Sequence, residues 1–243
     1  MTAATVALSR RGTPGPAEFS GFLHRLAEGQ DLSREEAARA LAQIADSTAG
    51  EAQAAAFLMG LRAKGETAEE IAGLADAMRH LAVRVETSCP GPLVDIVGTG
   101  GDGLDTFNIS TTAAFVVAGA GVKVAKHGNR AASSRCGAAD VLQALGARID
   151  LGPADVAACI EEVGMGFMLA SIYHSSMARV GAIRRSLGIR TVFNFLGPVT
   201  NPAGARRMLL GVSVEPYMEV LAGALARTGC ERALLVHGAE GMD

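Results

Sequence analysis

No CxxC pair occurs in this 243-residue chain, whose four cysteines (Cys89, Cys136, Cys159 and Cys230) stand far apart. That spacing argues against a zinc site or a disulfide framework and reads as reduced thiols. No apolar run approaches the length needed to span a bilayer. Met1 to Pro16 contain Arg10 and Arg11 but lack the apolar centre of a signal peptide, and read as a frayed start. Charge is also sparse: 19% of residues are charged and the formal net charge is -3, so neither nucleic acid nor a membrane surface is an expected partner. Any anion site must be local. With 49% hydrophobic residues the chain is globular rather than disordered, and the expected location is cytoplasmic.

Residues 17–86 read as a helical domain. Three capping boxes mark expected helix starts: Ser33 with Glu36, Thr48 with Glu51, and Thr67 with Glu70. Ile71, Leu74, Ala75, Met78, Leu81 and Ala82 then form one apolar stripe, and Gly65 is placed to end the helix before it. The Ala-rich faces suit close packing against each other or a partner chain.

Thr87 to Pro92 breaks this pattern. Residues 87–243 read as an α/β domain. Short β-rich runs at 93–97, 122–125, 167–170, 208–214 and 233–236 alternate with helical segments, which predicts a mostly parallel sheet. Ser110 and Thr111 before an apolar run, and Pro153, mark further helix starts. There is no internal repeat.

The first strand runs into Gly98-Thr-Gly-Gly-Asp-Gly103. Glycines permit positive φ and bare backbone N–H groups, which together form an anion nest. The run also satisfies the dinucleotide pattern GxGxxG, but Leu104 to Asn108 intervene before the helix. Lys126-His127 also stand where a ribose-binding acid is wanted. No Gly-Lys-Ser/Thr follows, so a nucleotide triphosphate loop is absent. Asn108-Ile-Ser-Thr111 leads into the next helix, whose N-terminus suits phosphate; plain capping by Ser110 and Thr111 is the bland alternative. A second loop is expected from Lys126 to Gly137, with Lys126, Arg130, Arg135, Asn129, Ser133 and Ser134 beyond a strand's carboxyl end.

DIVGTGGDG (95–103), TFNIST (106–111), VAKHGNRAASS (124–134) and RTVFNFLGPVTNPA (190–203) together resemble the anthranilate phosphoribosyltransferase family. A run from Ile172 to Leu187 carries His174 and Arg184 at that family's spacing. The resemblance implies a small N-terminal helical domain, with part of 172–190 packing on it. It also implies a large α/β domain of nucleoside phosphorylase/phosphoribosyltransferase type, and a homodimer formed through the helices. It implies transfer of the phosphoribosyl group of phosphoribosyl pyrophosphate to anthranilate, with Mg²⁺, in tryptophan biosynthesis.

By matching position, Gly98, Gly101, Asp102 and Thr106 would contact the donor. Asn108, Ile109, Ser110 and Thr111 would hold its phosphates. Lys126, His127, Gly128, Asn129, Arg130, Ala131, Ala132, Ser133 and Ser134 would close over them, with Ala138 nearby. Asn129 and Arg184 would meet anthranilate, beside Gly98, and Ser110 and Asp243 would touch Mg²⁺. Arg184 suits a carboxylate because its planar fork binds it twice; a surface ion pair is its bland alternative. His127 and His174 either take the amine proton or shape the acceptor pocket.

Cys136 and Ala138 stand where many members carry serine, and Ser175 where proline is usual. The run ends on Asp243, where the resemblance implies a following glutamate, so the chain is read as a C-terminally truncated form with little activity of its own. A pyrimidine nucleoside phosphorylase and a non-catalytic anion-binding homologue are the competing readings.

Overall fold

The computed structural model describes residues 16–104, 106–131 and 135–243. Residues 1–15, and the predicted site residues Ala132, Ser133 and Ser134, lie outside the described residues. Four helices come first: α1 (Pro16–Ala27), α2 (Arg34–Ala45), α3 (Glu51–Lys64) and α4 (Ala68–Leu81). Two of the three expected capping boxes form, Ser33 with Glu36 and Thr67 with Glu70. The third does not. Thr48 donates its N–H to the Asp46 Oδ1 at 2.9 Å, and the cap falls on Gly50, whose N–H is taken by the Gln53 Oε1 at 2.9 Å. Gly65 ends α3 at φ 93°, where a side chain would be strained.

Glu70 does more than cap. It is fully buried, accepts from the Leu32 N–H at 2.9 Å and pairs with the buried Lys64 Nζ at 3.0 Å, so one carboxylate fastens the α1–α2 connection to α4. Helices α2 and α4 approach so closely at Gly73 that a methyl there would overlap the Arg34 carbonyl.

The remainder alternates strands and helices: β1 (Val94–Gly98), α5 (Ile109–Gly119), β2 (Val124–Gly128), α6 (Ala138–Ala144) and α7 (Pro153–Ala158). After a π-helical turn at Cys159–Val163 come β3 (Met165–Leu169), α8 (Ala170–Tyr173) and a 3₁₀ turn at Ser175–Met177. The chain continues with α9 (Ala178–Leu187), α10 (Phe193–Val199), β4 (Arg207–Gly211), α11 (Tyr217–Arg227) and β5 (Arg232–Val236). The five strands form one parallel sheet in the order β3-β2-β1-β4-β5. β5 is an edge, with Leu234 and Val236 exposed.

Alternation along the strands builds two faces. Val124 and Ile96 pack with Ala114 of α5, whereas Ala125 and Met168 pack with Val156, Ile160 and Tyr173 on the opposite side. The largest hydrophobic cluster is shared. It runs from Phe19, Phe57 and Leu61 through Val180 and Ile183 of α9 to Leu210 of β4 and Leu221 of α11. The helices therefore rest on the sheet layer as part of one core. Among the described residues no helix is long and apolar enough to cross a membrane.

Gly73→Ala is expected to destabilise the protein by about 1–3 kcal/mol, because the α2–α4 contact leaves no room for a methyl. Gly21→Ala, in α1 with nothing near its Cβ position, is expected to stabilise by about 0.5–1 kcal/mol. Urea unfolding of both variants checks the contrast in sign.

Candidate active site

The sheet order reverses at β1: the chain steps outward through β2 and β3, then returns to place β4 on the other flank. Ligands in open α/β sheets bind at the carboxyl ends of strands at such a switch. Gly98 and Gly211, the last residues of β1 and β4, pair across it. The glycine-rich turn lies directly above. This strand order is also used by dinucleotide-binding sheets, so topology alone does not discriminate. The end of β2 does, since it carries buried Lys126 and His127 in place of an acid.

Within the turn Gly100, Gly101 and Gly103 have φ of 67°, 79° and 75°. Thr99 holds the turn to β4: its N–H donates to the Gly211 carbonyl at 2.9 Å, and its hydroxyl accepts from the Ser213 N–H at 3.0 Å. The turn already carries an anionic oxygen. The Asp243 carboxylate accepts a short hydrogen bond from the Gly100 N–H and one from the Thr99 Oγ1 at 3.2 Å. Burial pushes the Asp243 carboxyl above its ordinary pKa, the turn's N–H opposes this, and the charge of nearby Asp102 adds to it. Asp102 itself accepts from the Leu104 N–H at 3.2 Å. Thr106 is exposed beyond it.

α5 opens at Ile109, earlier than expected, with Asn108 as its cap. Ser110 and Thr111 therefore lie inside the first turn and do not cap it. The Ser110 Oγ faces the Lys126 Nζ at 3.4 Å, and the buried Thr111 Oγ1 has no partner among the described residues.

The largest departure from the sequence reading concerns β2. Lys126 and His127 were expected in a loop, but the strand continues through Gly128 and buries both. Because faces alternate, the two side chains point opposite ways. Lys126 turns towards α5 and donates from Nζ to the Ile96 carbonyl at 2.5 Å. His127 turns towards α10, where its Nδ1 sits 3.0 Å from the Gly197 carbonyl. A carbonyl accepts only, so Nδ1 carries the proton and Nε2 is left as an unpaired acceptor.

The strand tolerates these groups because Asp95 of β1 is buried beside them. Its carboxylate accepts from the His127 N–H at 3.2 Å and from the Asn201 Nδ2 at 2.7 Å. Burial raises Asp95 to about 6, with Lys126 the main opposing influence. Burial lowers Lys126 to about 8, with Asp95 opposing. Lys126 therefore remains mostly a cation at neutral pH.

His174 follows α8 and places its ring 5.0 Å from that of His127. It is directed towards the Thr200 backbone without reaching hydrogen-bonding geometry, so neither ring nitrogen has a partner among the described residues. Burial lowers His127 to about 3, with His174 adding to it, and lowers His174 to about 4. Both imidazoles are neutral near pH 7.

The loop after β2 folds back on α6. Asp140 accepts from the Ala131 and Gly137 N–H groups at 2.9 Å each and from the Arg130 Nη1 at 2.8 Å. Arg130 also donates to the Gln143 Oε1 at 2.8 Å, so its guanidinium is held by α6 and not by the glycine-rich turn. The Asn129 carbonyl accepts from the Ala139 N–H at 3.1 Å, and Ala138 packs beside Gly128.

Arg184 of α9 lies 5.6 Å from the centre of the Phe193 ring and reaches the Asn194 Oδ1 at 3.4 Å. It meets no carboxylate among the described residues, and burial lowers its pKa. Three residues absent from the predicted set also take part: Asp95, Asn201, and Arg190, whose side chain lies along Gly101. Arg190 and Asn201 stand in the run 190–203, where polar residues between apolar ones were a usable signal; Asp95 reads as an ordinary strand residue. Among the described residues no three His, Cys, Asp or Glu side chains converge as a metal-binding group.

The family model described as "Glycosyl transferase family, a/b domain" matches residues 90–243, and "Glycosyl transferase family, helical bundle domain" matches residues 20–82. A relative from Anaeromyxobacter dehalogenans, named anthranilate phosphoribosyltransferase, is 57% identical over 219 residues, which are 90% of this chain and 64% of that protein. The structure of anthranilate phosphoribosyltransferase from Thermus thermophilus superposes with a TM-score of 0.85 at 46% identity, covering 90% of this chain and 66% of that one. The Saccharomyces cerevisiae enzyme in complex with PRPP and Mg gives a TM-score of 0.85 at 33% identity, covering 94% and 68%. This chain thus spans less than two thirds of the curated relative from Anaeromyxobacter.

Two ring nitrogens at ordinary pKa 6.5 in the unfolded chain and about 3 and 4 when folded make stability depend on pH. Protons bind the unfolded state first, so stability is complete above pH 6.5 and is lost as pH falls towards 4 and then 3. The expected slope approaches about 1.4 kcal/mol per pH unit for each histidine. His174→Asn should flatten it in urea unfolding series recorded across that range; an unchanged slope would contradict the neutral buried pair.

By its two matched domains, its sheet and its relatives, the chain belongs to the glycosyl transferase family and, within it, to the anthranilate phosphoribosyltransferases.

Proposed function

We propose that this chain carries the donor and acceptor sites of an anthranilate phosphoribosyltransferase. The reaction joins the anthranilate amine to C1 of 5-phosphoribosyl 1-pyrophosphate, giving N-(5-phosphoribosyl)anthranilate and pyrophosphate on the route to tryptophan. The helical part up to residue 86 and the α/β part from 87 are its two domains. The observation that carries the reading is the glycine-rich turn at the sheet's switch point, whose backbone N–H already holds a carboxylate oxygen. A pyrophosphate oxygen is the natural occupant of such a nest.

In the transfer, the amine nitrogen's lone pair forms the new bond to C1 while the C1–oxygen bond breaks, its electrons leave with pyrophosphate, and the surplus proton on nitrogen is lost to solvent. The demand on the protein is to hold and neutralise that leaving group. Gly98, Gly101, Asp102 and Thr106 border the donor, Asn108 to Thr111 supply the helix N-terminus, and Lys126 supplies a fixed cation. The partnerless Thr111 hydroxyl supports a ligand at that end of α5. Gly128 to Arg130, with Ala138, are assigned to the same donor site by matching position.

Arg184, half-buried and without a carboxylate partner, suits the acceptor's carboxylate. By matching position Asn129 would meet the same acceptor. His127 and His174, neutral and with pKa values far below 7, are weak bases and shape the acceptor pocket without taking its proton. Aniline-type amines are neutral at this pH, so positioning suffices.

Mg²⁺ fits the residues present. Asp102 lies near enough to Asp243 to disfavour its ionisation, a repulsion a dication relieves. By matching position Ser110 would touch one Mg²⁺ and Asp243 a second, and when bound they would neutralise pyrophosphate charge. A homodimer through the helices is part of the same reading, supported by the exposed α3 face of Ala52, Ala56 and Met59. No observation favours a nucleoside phosphorylase.

Phosphoribosyl transfer is followed by loss of anthranilate fluorescence with donor and Mg²⁺. Arg184→Ala is expected to raise the KM for anthranilate about 10- to 100-fold, the worth of a charge-assisted hydrogen bond, with a smaller effect on the donor KM. Equal effects on both substrates would remove Arg184 from the acceptor site. Phosphorolysis of a nucleoside in place of transfer would overturn the assignment.

A further inference from the structure

A second cavity lies at the opposite, amino end of the sheet, where β1 and β4 begin. Its volume is about 780 Å³, within the range of small-molecule sites. Three parts of the fold wall it. Arg79 comes from α4, Arg84 and Glu86 from the segment joining the helices to the sheet, and Arg206, Arg207 and Glu231 from the ends of β4 and β5. Four arginines face two glutamates, so the wall is cationic.

Internal pairing leaves the wall with a net positive charge, although the Arg206 Nε also donates to the Gly229 carbonyl at 2.9 Å. Glu231 alone bridges Arg206 at 3.3 Å and Arg207 at 3.7 Å. Arg84 and Glu86 form no hydrogen bond or ion pair among the described residues. Arg79 donates from Nη1 to the Thr228 carbonyl at 2.7 Å, but its Nε is buried with no hydrogen-bond acceptor. A desolvated guanidinium N–H without an acceptor on a cavity wall is costly until an anion reaches it. The wall also offers Val85, Pro92 and Leu93, which suit an organic body more than a bare ion.

We propose that this cavity is a binding site for a small organic dianion, a phosphate ester or a dicarboxylate, held in the forks of Arg79, Arg84, Arg206 and Arg207. Guanidinium groups bind both anions bidentately, so the chemistry is shared. Its occupant would bridge the helices, the joining segment and the sheet. That segment is otherwise tied to the α/β part by backbone bonds such as Val83 N–H to the Tyr173 carbonyl at 2.9 Å and Val85 N–H to the Pro202 carbonyl at 3.2 Å. Asn201 borders the cavity and donates to Asp95, the carboxylate beneath Lys126 and His127. The two ends of the sheet are therefore joined by one hydrogen-bonded path, and the site is placed to sense or set the position of β2.

The test reads binding, so it does not depend on turnover. The protein labelled with ¹⁵N-arginine is titrated with inorganic phosphate and, separately, with malonate, and the side-chain Nε–H resonances are followed. Those of Arg79 and Arg207 are expected to shift saturably. The double variant Arg84→Ala/Arg206→Ala, both exposed positions, is expected to weaken binding at least tenfold. Tighter phosphate assigns the site to a phosphate ester and tighter malonate to a dicarboxylate. No shift at Arg79 and Arg207 with either anion, or equal binding by the folded double variant, overturns the proposal.

Discussion

The buried carboxylate of Asp95 is the constraint on which the site depends. It sits in β1 at zero exposure, accepts from the His127 N–H and the Asn201 side chain, and feels the charge of Lys126 from the other face of the sheet. Asn201 in turn donates to the Ala125 carbonyl at 2.8 Å and accepts from the Ala203 N–H at 2.9 Å. One polar group thereby joins β1, β2 and the turn that precedes β4. A buried charge of this kind persists only when its partners are complete, so its presence fixes their positions. Lys126 and His127 are consequently presented from a rigid strand, on opposite faces, with the cation towards α5 and the imidazole towards α10.

Around that strand the site is built mainly from backbone. Three glycines take positive φ, and the sheet's order places them beyond the paired carboxyl ends of β1 and β4. Charge is supplied by buried Lys126 and by Arg184, which meets no carboxylate among the described residues. Arg130, the most conspicuous cation of the following loop, is held by Asp140 and Gln143 and organises that loop. Electrostatic attraction at the site thus rests on groups whose geometry is set by secondary structure, not on flexible surface side chains.

Much of this was readable from residue order. The capping boxes at Ser33 and Thr67, the glycine at 65 and the alternation of strands and helices are local signals, each decided by neighbours within a few positions. Thr48 shows how such a signal fails. Asp46 captures the Thr48 N–H and Ser47 turns to φ 69°, so the chain reaches the helix at Gly50, and a competing side chain one turn earlier decided the outcome. The expected loop at Lys126 failed for a different reason. A charged pair of residues reads as solvent-exposed until the partner that buries it is known, and Asp95 is distant in sequence.

Residue order by itself therefore determined the helices, the parallel strands, the anion nest and the family. All of these follow from local backbone preference, hydrophobic period and matched motifs. Tertiary structure alone decided the depth of Lys126 and His127, the neutrality of the histidine pair, the capture of Arg130 by α6 and the lack of a carboxylate beside Arg184. It also decided the arginine-lined cavity at the far end of the sheet. Each of these turns on burial and on partners brought together across the sheet, and the free energy of a charge is set by what surrounds it in space.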